Sequence, residues 1–163
     1  MKQILTLLAA LTCLCAGIAA AGLSDSETPA GVPNPIREYT SISELEKAVG
    51  FPVSAPEEIH GFRLTAVSSI DSLAQLIYSD CAQELCFRVS PAARTEGDNS
   101  GDYNHYDFAR SEEIDSAAVT MKGFGDTVSL AIWQRNQYDY SIGVRSAGVA
   151  PETMSELVRA FGF

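Results

Sequence analysis

The chain has 163 residues, 21 of them acidic against 11 basic, and a net charge of −10 at pH 7. A field of that sign disfavours nucleic acid and anionic lipid surfaces as partners. Once an N-terminal signal is removed, about 142 residues remain, a length that suits one domain, and a second is not expected.

Lys2 supplies a positive start, residues 4–14 an apolar run, and Ala19-Ala20-Ala21 a small-residue processing site. Together they predict a signal peptide over 1–21, cleavage near Ala21 and a mature protein that is secreted or extracytoplasmic from Gly22 onward. The run is too short to span a bilayer, which takes about 20 apolar residues. Lipoprotein anchoring is set aside, because Thr12 precedes Cys13 and Leu14 precedes Cys15 where a small residue is needed, and both cysteines come too early.

Residues 22–35 are Ser, Thr, Gly, Pro and acid, and their composition predicts a flexible leader. A single domain is expected over 36–163. Its first helix is predicted at 41–49, with Ser41 and Glu44, or Ser43 and Glu46, as a capping box, and with Ile42, Leu45 and Val49 as one apolar stripe. Gly50 supplies the left-handed stop. Pro52 and Pro56 then impose an extended linker.

Strands follow. Phe62, Leu64, Ala66, Ser68 and Ile70 alternate with Arg63, Thr65, Val67 and Ser69, the period of a half-buried strand. Segments 73–78 and 86–89 read as the next two, with a weaker strand at 105–109. Segments 117–122, 129–134 and 138–144 form a meander joined at 123–126 and at Asn136-Gln137. Pro151 opens a final helix whose Met154, Leu157, Val158 and Phe161 form a buried stripe. The pattern predicts an α+β fold, an antiparallel sheet of about six strands with an N-terminal and a C-terminal helix packed on one face.

Cys81 and Cys86 bracket four residues between two predicted strands, and in an oxidising compartment the pair reads as a disulfide stapling a hairpin. So short a ring would contribute roughly 2 kcal/mol. Asp98, Asn99, Ser100, Gly101, Asp102, Tyr103 and Asn104 gather oxygen ligands around a glycine, but without EF-hand spacing. A polar turn whose side chains bond their own backbone accounts for the same residues. Trp133, Tyr103 and Asp102 are the candidate ligand surface, Trp133 being the aromatic to test first, while Tyr138 and Tyr140 share a face with Ile142 and Val144 and read as core. His60 and His105 belong to no zinc helix or nucleophile elbow, and no P-loop or dinucleotide fingerprint is present. No catalytic residue, cofactor or metal site is assigned.

Several segments resemble an uncharacterised bacterial family of extracytoplasmic domains, found as small exported proteins and as the outer part of anti-sigma-factor-like proteins. The matching residues are 43–51 with Pro52 and Pro56, Gly61-Phe62-Arg63-Leu64, Ser100-Gly101-Asp102-Tyr103-Asn104 with Tyr106, 119–123, Ala131-Ile132-Trp133, 138–142 and the final helix. The resemblance implies an α+β domain with a binding or sensing role outside the cell. The chain departs from the pattern at His60, where a proline-rich turn is typical, in lacking a transmembrane helix, and in its Cys81/Cys86 pair.

Export, a complete core pattern and no catalytic kit point to a non-enzymatic binding or sensing domain whose partner is an unidentified protein, peptide or envelope component. Edge strands offer one route to such a partner, by strand addition. The alternatives are a cell-envelope hydrolase with a dispersed active site and a calcium-stabilised structural module.

Overall fold

The computed structural model describes residues 34–94 and 97–162. The predicted signal over 1–21, and the leader up to residue 33, lie outside the described residues.

Two antiparallel meanders make the sheet. The first is β3 (Phe62–Ile70), β4 (Leu73–Ser79) and β5 (Glu84–Pro91). The second is β6 (Phe108–Ile114), β7 (Ala117–Phe124), β8 (Thr127–Arg135) and β9 (Tyr138–Arg145). Short turns build both, and several turn residues other than glycine take positive φ, among them Asp115 and Ser116 at 45° and 69° and Asn136 and Gln137 at 50° and 68°. Such turns match the twist of the strands they join.

The meanders become one sheet because β5 pairs antiparallel with β9 along its whole length, from Glu84 opposite Arg145 to Pro91 opposite Tyr138. Outside β3 lies β1 (Ile36–Tyr39), and β2 (Glu58–Ile59) pairs with the first residues of β3. The order is β1-β3-β4-β5-β9-β8-β7-β6.

This corrects the six-strand α+β expectation. Among the described residues the sheet has nine strands, the chain enters it through a strand rather than a helix, and the two helices are short: α1 (Ile42–Val49, 8 residues) and α2 (Pro151–Gly162, 12 residues). The strands that sequence reading missed or shifted lie at the sheet's margins. Three of the four residues of β1 are exposed, β2 has two residues, and β6 begins at Phe108 rather than 105 and runs through Arg110, Ser111, Glu112 and Glu113. An edge strand faces water along one side, so charge protects it and apolar periodicity fades.

A second correction concerns β3. Register shifts between Leu64 and Ala66, a bulge that reverses the alternation. Phe62 and Val67 are therefore buried, whereas Ala66 is exposed.

One sheet face is apolar. Leu76, Tyr78, Phe87, Ile142, Trp133 and Val119 form a single cluster there, joined by Leu45 from α1 and by Met154, Leu157, Val158 and Phe161 from α2. Phe161 stacks on Phe87 at 4.7 Å and meets Tyr78 edge-on at 5.1 Å. Ser41 caps α1, its Oγ accepting the Glu44 N–H at 3.2 Å, and Gly50 ends the helix at φ 84°. Among the described residues no helix is long and apolar enough to cross a membrane.

Candidate functional site

The opposite sheet face carries polar side chains at its centre. Register places Ser68 beside Gln75, Gln75 beside Arg88 and Arg88 beside Ser141, a row that crosses four strands. Side chains so placed stand about 5 Å apart and can bond across the strands. Gln75 Nε2 donates to Ser68 Oγ at 3.2 Å, and Gln75 Oε1 accepts Arg88 Nε at 2.9 Å. The same oxygen accepts the Cys86 thiol at 3.7 Å.

Within the loop 97–107, residues 100–104 lie against the Arg88–Ser141 end of this row. Asp98 Oδ1 accepts the Ser100 N–H at 2.9 Å and hydroxyl at 2.6 Å, and Asp102 Oδ1 accepts the Asn104 N–H at 2.8 Å. Such self-bonding turns shape the loop locally. Asn99, 4% exposed, pins it to the sheet by donating to Ser90 Oγ at 3.0 Å and to the Asp139 carbonyl at 2.6 Å. Lys122 lies 3.7 Å from Asp98. Arg88 Nη1 donates to the Ser100 carbonyl. Gly101 suits its place twice over: its φ is +62°, and a Cβ there would stand 2.6 Å from Arg88 Nη1.

Between loop and sheet a cleft of about 230 Å³ remains. Cys86, Arg88, Ser141 and Gly143 line its sheet side, and Asp102 and Tyr103 its loop side. Gly143 leaves the floor open, since a Cβ built on it meets nothing within 4 Å.

The charges are unevenly matched. Arg145, which also lines the cleft, pairs with Glu84 at 2.9 Å. Arg88 is half-buried and has no carboxylate within ion-pair distance among the described residues. Asp102 is engaged, its Oδ2 accepting the Tyr106 hydroxyl at 2.6 Å. Burial raises the Asp102 carboxyl, but Tyr106, Asn104 and the Lys122 charge outweigh it and hold the group below the usual carboxylate range. Burial and the Asp102 carboxylate push Tyr106 up to about 12. Burial also raises the Cys86 thiol, partly offset by Arg88 and Arg145.

The predicted site residues are thus distributed unequally. Asp102 lines the cleft and Tyr103, 94% exposed, stands at its rim. Trp133 is 2% exposed in the apolar cluster on the other face, stacked on Tyr140 at 5.2 Å, so it presents no ligand surface. The expected disulfide is absent too: Cys81 and Cys86 are free. Cys81 sits in the exposed turn between β4 and β5, whereas Cys86 is the third residue of β5 and faces Ile77, so the two are not cross-strand partners.

Among the described residues no three His, Cys, Asp or Glu side chains converge to hold a metal ion. His60 and His105 are exposed and do not line the cleft, His60 lying 3.1 Å from Glu156. Sequence reading missed Arg88, Gln75, Ser141 and Gly143. A lone arginine between Phe87 and Val89 does signal an outward-facing position, but nothing local says that a loop will cover it.

No protein family, curated protein or solved structure matches the chain.

Proposed function

We propose that the chain is an exported, non-enzymatic binding or sensing domain, and that its site is the cleft between the outer sheet face and residues 97–107. One observation carries this reading: Arg88 is oriented by two protein acceptors toward a cleft whose floor Gly143 leaves empty. A cleft with a few convergent polar groups is the ordinary form of a small-ligand site. The polar ladder holds those groups in place before any ligand arrives, which lowers the ordering cost of binding.

The test is a thermal-shift screen of the protein beginning at Gly22 against small polar compounds, run in parallel on Gly143→Val. Compounds that raise the midpoint of the wild type and leave the variant unmoved support the cleft. Equal shifts in both proteins overturn it. Intact mass of the protein recovered from outside the producing cell tests export, the expected product starting near Gly22.

A further inference from the structure

Resting on the cleft being the binding site, we infer that it takes a small molecule bearing a single carboxylate, held by the Arg88 guanidinium. The donors are available. Arg88 spends Nε on Gln75 and one hydrogen of Nη1 on the Ser100 carbonyl, which leaves Nη2 and the second Nη1 hydrogen without an oxygen acceptor among the described residues, the Cys86 sulfur being their neighbour. Those hydrogens lie in one plane, the fork that matches a carboxylate in bidentate fashion. Gln75 and the loop carbonyl fix that plane from two sides. Ser141, 1% exposed and opposite Arg88 in register, adds a hydroxyl that makes no hydrogen bond among the described residues.

Charge selects the ligand. A half-buried cation without a counterion is costly, and a monoanion offsets it one for one. Arg145 is already balanced by Glu84, so a second negative charge on the ligand has no cation left to meet. It would instead face the Asp102 carboxylate on the loop side and the protein's net charge of −10. An inorganic phosphate dianion is therefore disfavoured relative to a carboxylate.

Cys86 lines the same cleft and reports on it. In a Cys81→Ser background, where Cys86 is the thiol left in the described chain, the rates of alkylation by iodoacetate and by iodoacetamide are compared under alkaline conditions. The two reagents have the same reactive carbon and differ in charge. The iodoacetate-to-iodoacetamide rate ratio should be about fivefold higher in the wild type than in Arg88→Gln, the scale of one partly screened ion pair. Added salt should reduce the wild-type ratio toward that of free cysteine, a control that needs no Arg88 variant. Acetate should slow alkylation, whereas acetamide and phosphate at equal concentration should not.

A wild-type ratio equal to that of Arg88→Gln and insensitive to salt overturns the inference, as does protection by phosphate equal to that by acetate. Gly143→Val should slow both reagents alike. If it slows neither, the fault lies with the cleft itself rather than with its preference for carboxylate.

Discussion

Two glycines in neighbouring parts of one sheet should respond to substitution in opposite directions. At Gly123 a bulge shifts the β7–β8 register, and a Cβ built there would stand 1.9 Å from the Thr127 carbonyl oxygen and 2.9 Å from Phe108 Cζ. The obstruction is backbone, so no rotamer change relieves it. Overpacking of a well-filled site costs about 1–3 kcal/mol, and Gly123→Ala should fall at or above the upper end. In a domain of this size about 3 kcal/mol corresponds to a fall of roughly 10 °C in the melting midpoint.

At Gly143 nothing lies within 4 Å of the added carbon, and φ is not in the left-handed region. Its cross-strand neighbours are Cys86 and Leu130, against which a valine can pack. Strand propensity spans about 1 kcal/mol, so Gly143→Val should match the wild type or exceed it by about 0.5–1 kcal/mol. Urea unfolding followed by fluorescence of Trp133, the sole tryptophan and 2% exposed, measures both changes. A Gly123→Ala protein within about 0.5 kcal/mol of the wild type would refute the bulge. A Gly143→Val protein weaker by more than about 1 kcal/mol would refute the open floor.

Tyr78 is fully buried and donates to the Pro56 carbonyl at 2.7 Å, tying the proline linker to the sheet. Tyr78→Phe leaves that acceptor unpaired and should cost about 1–2 kcal/mol in the same urea experiment. The Asp102–Tyr106 bond gives the 97–107 loop two pH limits. The Asp102 carboxyl is lowered from 3.8 in the fold, so its contribution is complete above that value and is lost as pH falls through the lower folded one. Tyr106 is raised from 10.0 to about 12, so its contribution is complete below 10.0 and is lost as pH rises from there toward 12. Proteolysis of the loop across pH should show both limits, and Asp102→Asn should abolish the acid one. Because Cys81 and Cys86 are free, reductant should leave the melting midpoint unchanged, and denatured protein beginning at Gly22 should titrate two thiols. A midpoint that drops in reductant would show that the hairpin closes a disulfide after all.

Local sequence carried the parts of this protein whose causes are local. Leu73, Gln75 and Ile77 alternate with Ala74, Leu76 and Tyr78 because β4 buries one face, and that period survives whatever the strand pairs with. Ser41 and Gly50 mark the ends of α1 because caps bond within a few residues. The two positive φ values at Asn136-Gln137 are set by the turn itself. Beyond that range the signal weakened. The edge strand β6 hides behind its charges, the Asp115-Ser116 turn carries no glycine to announce it, and one bulged residue at Thr65 inverts the face on which Val67 lies.

Composition alone could not assign Trp133 to a face, and spacing alone could not keep Cys81 apart from Cys86. Tertiary structure decided those questions, and above all it decided the site. Pairing β5 with β9 across more than forty residues brings Arg88 beside Ser141 and Gly143, and the return of residues 100–104 against them encloses the cleft. Periodicity records which way a side chain points relative to its own backbone. What it will face is settled by contacts between segments distant in the chain, whose register no short window contains.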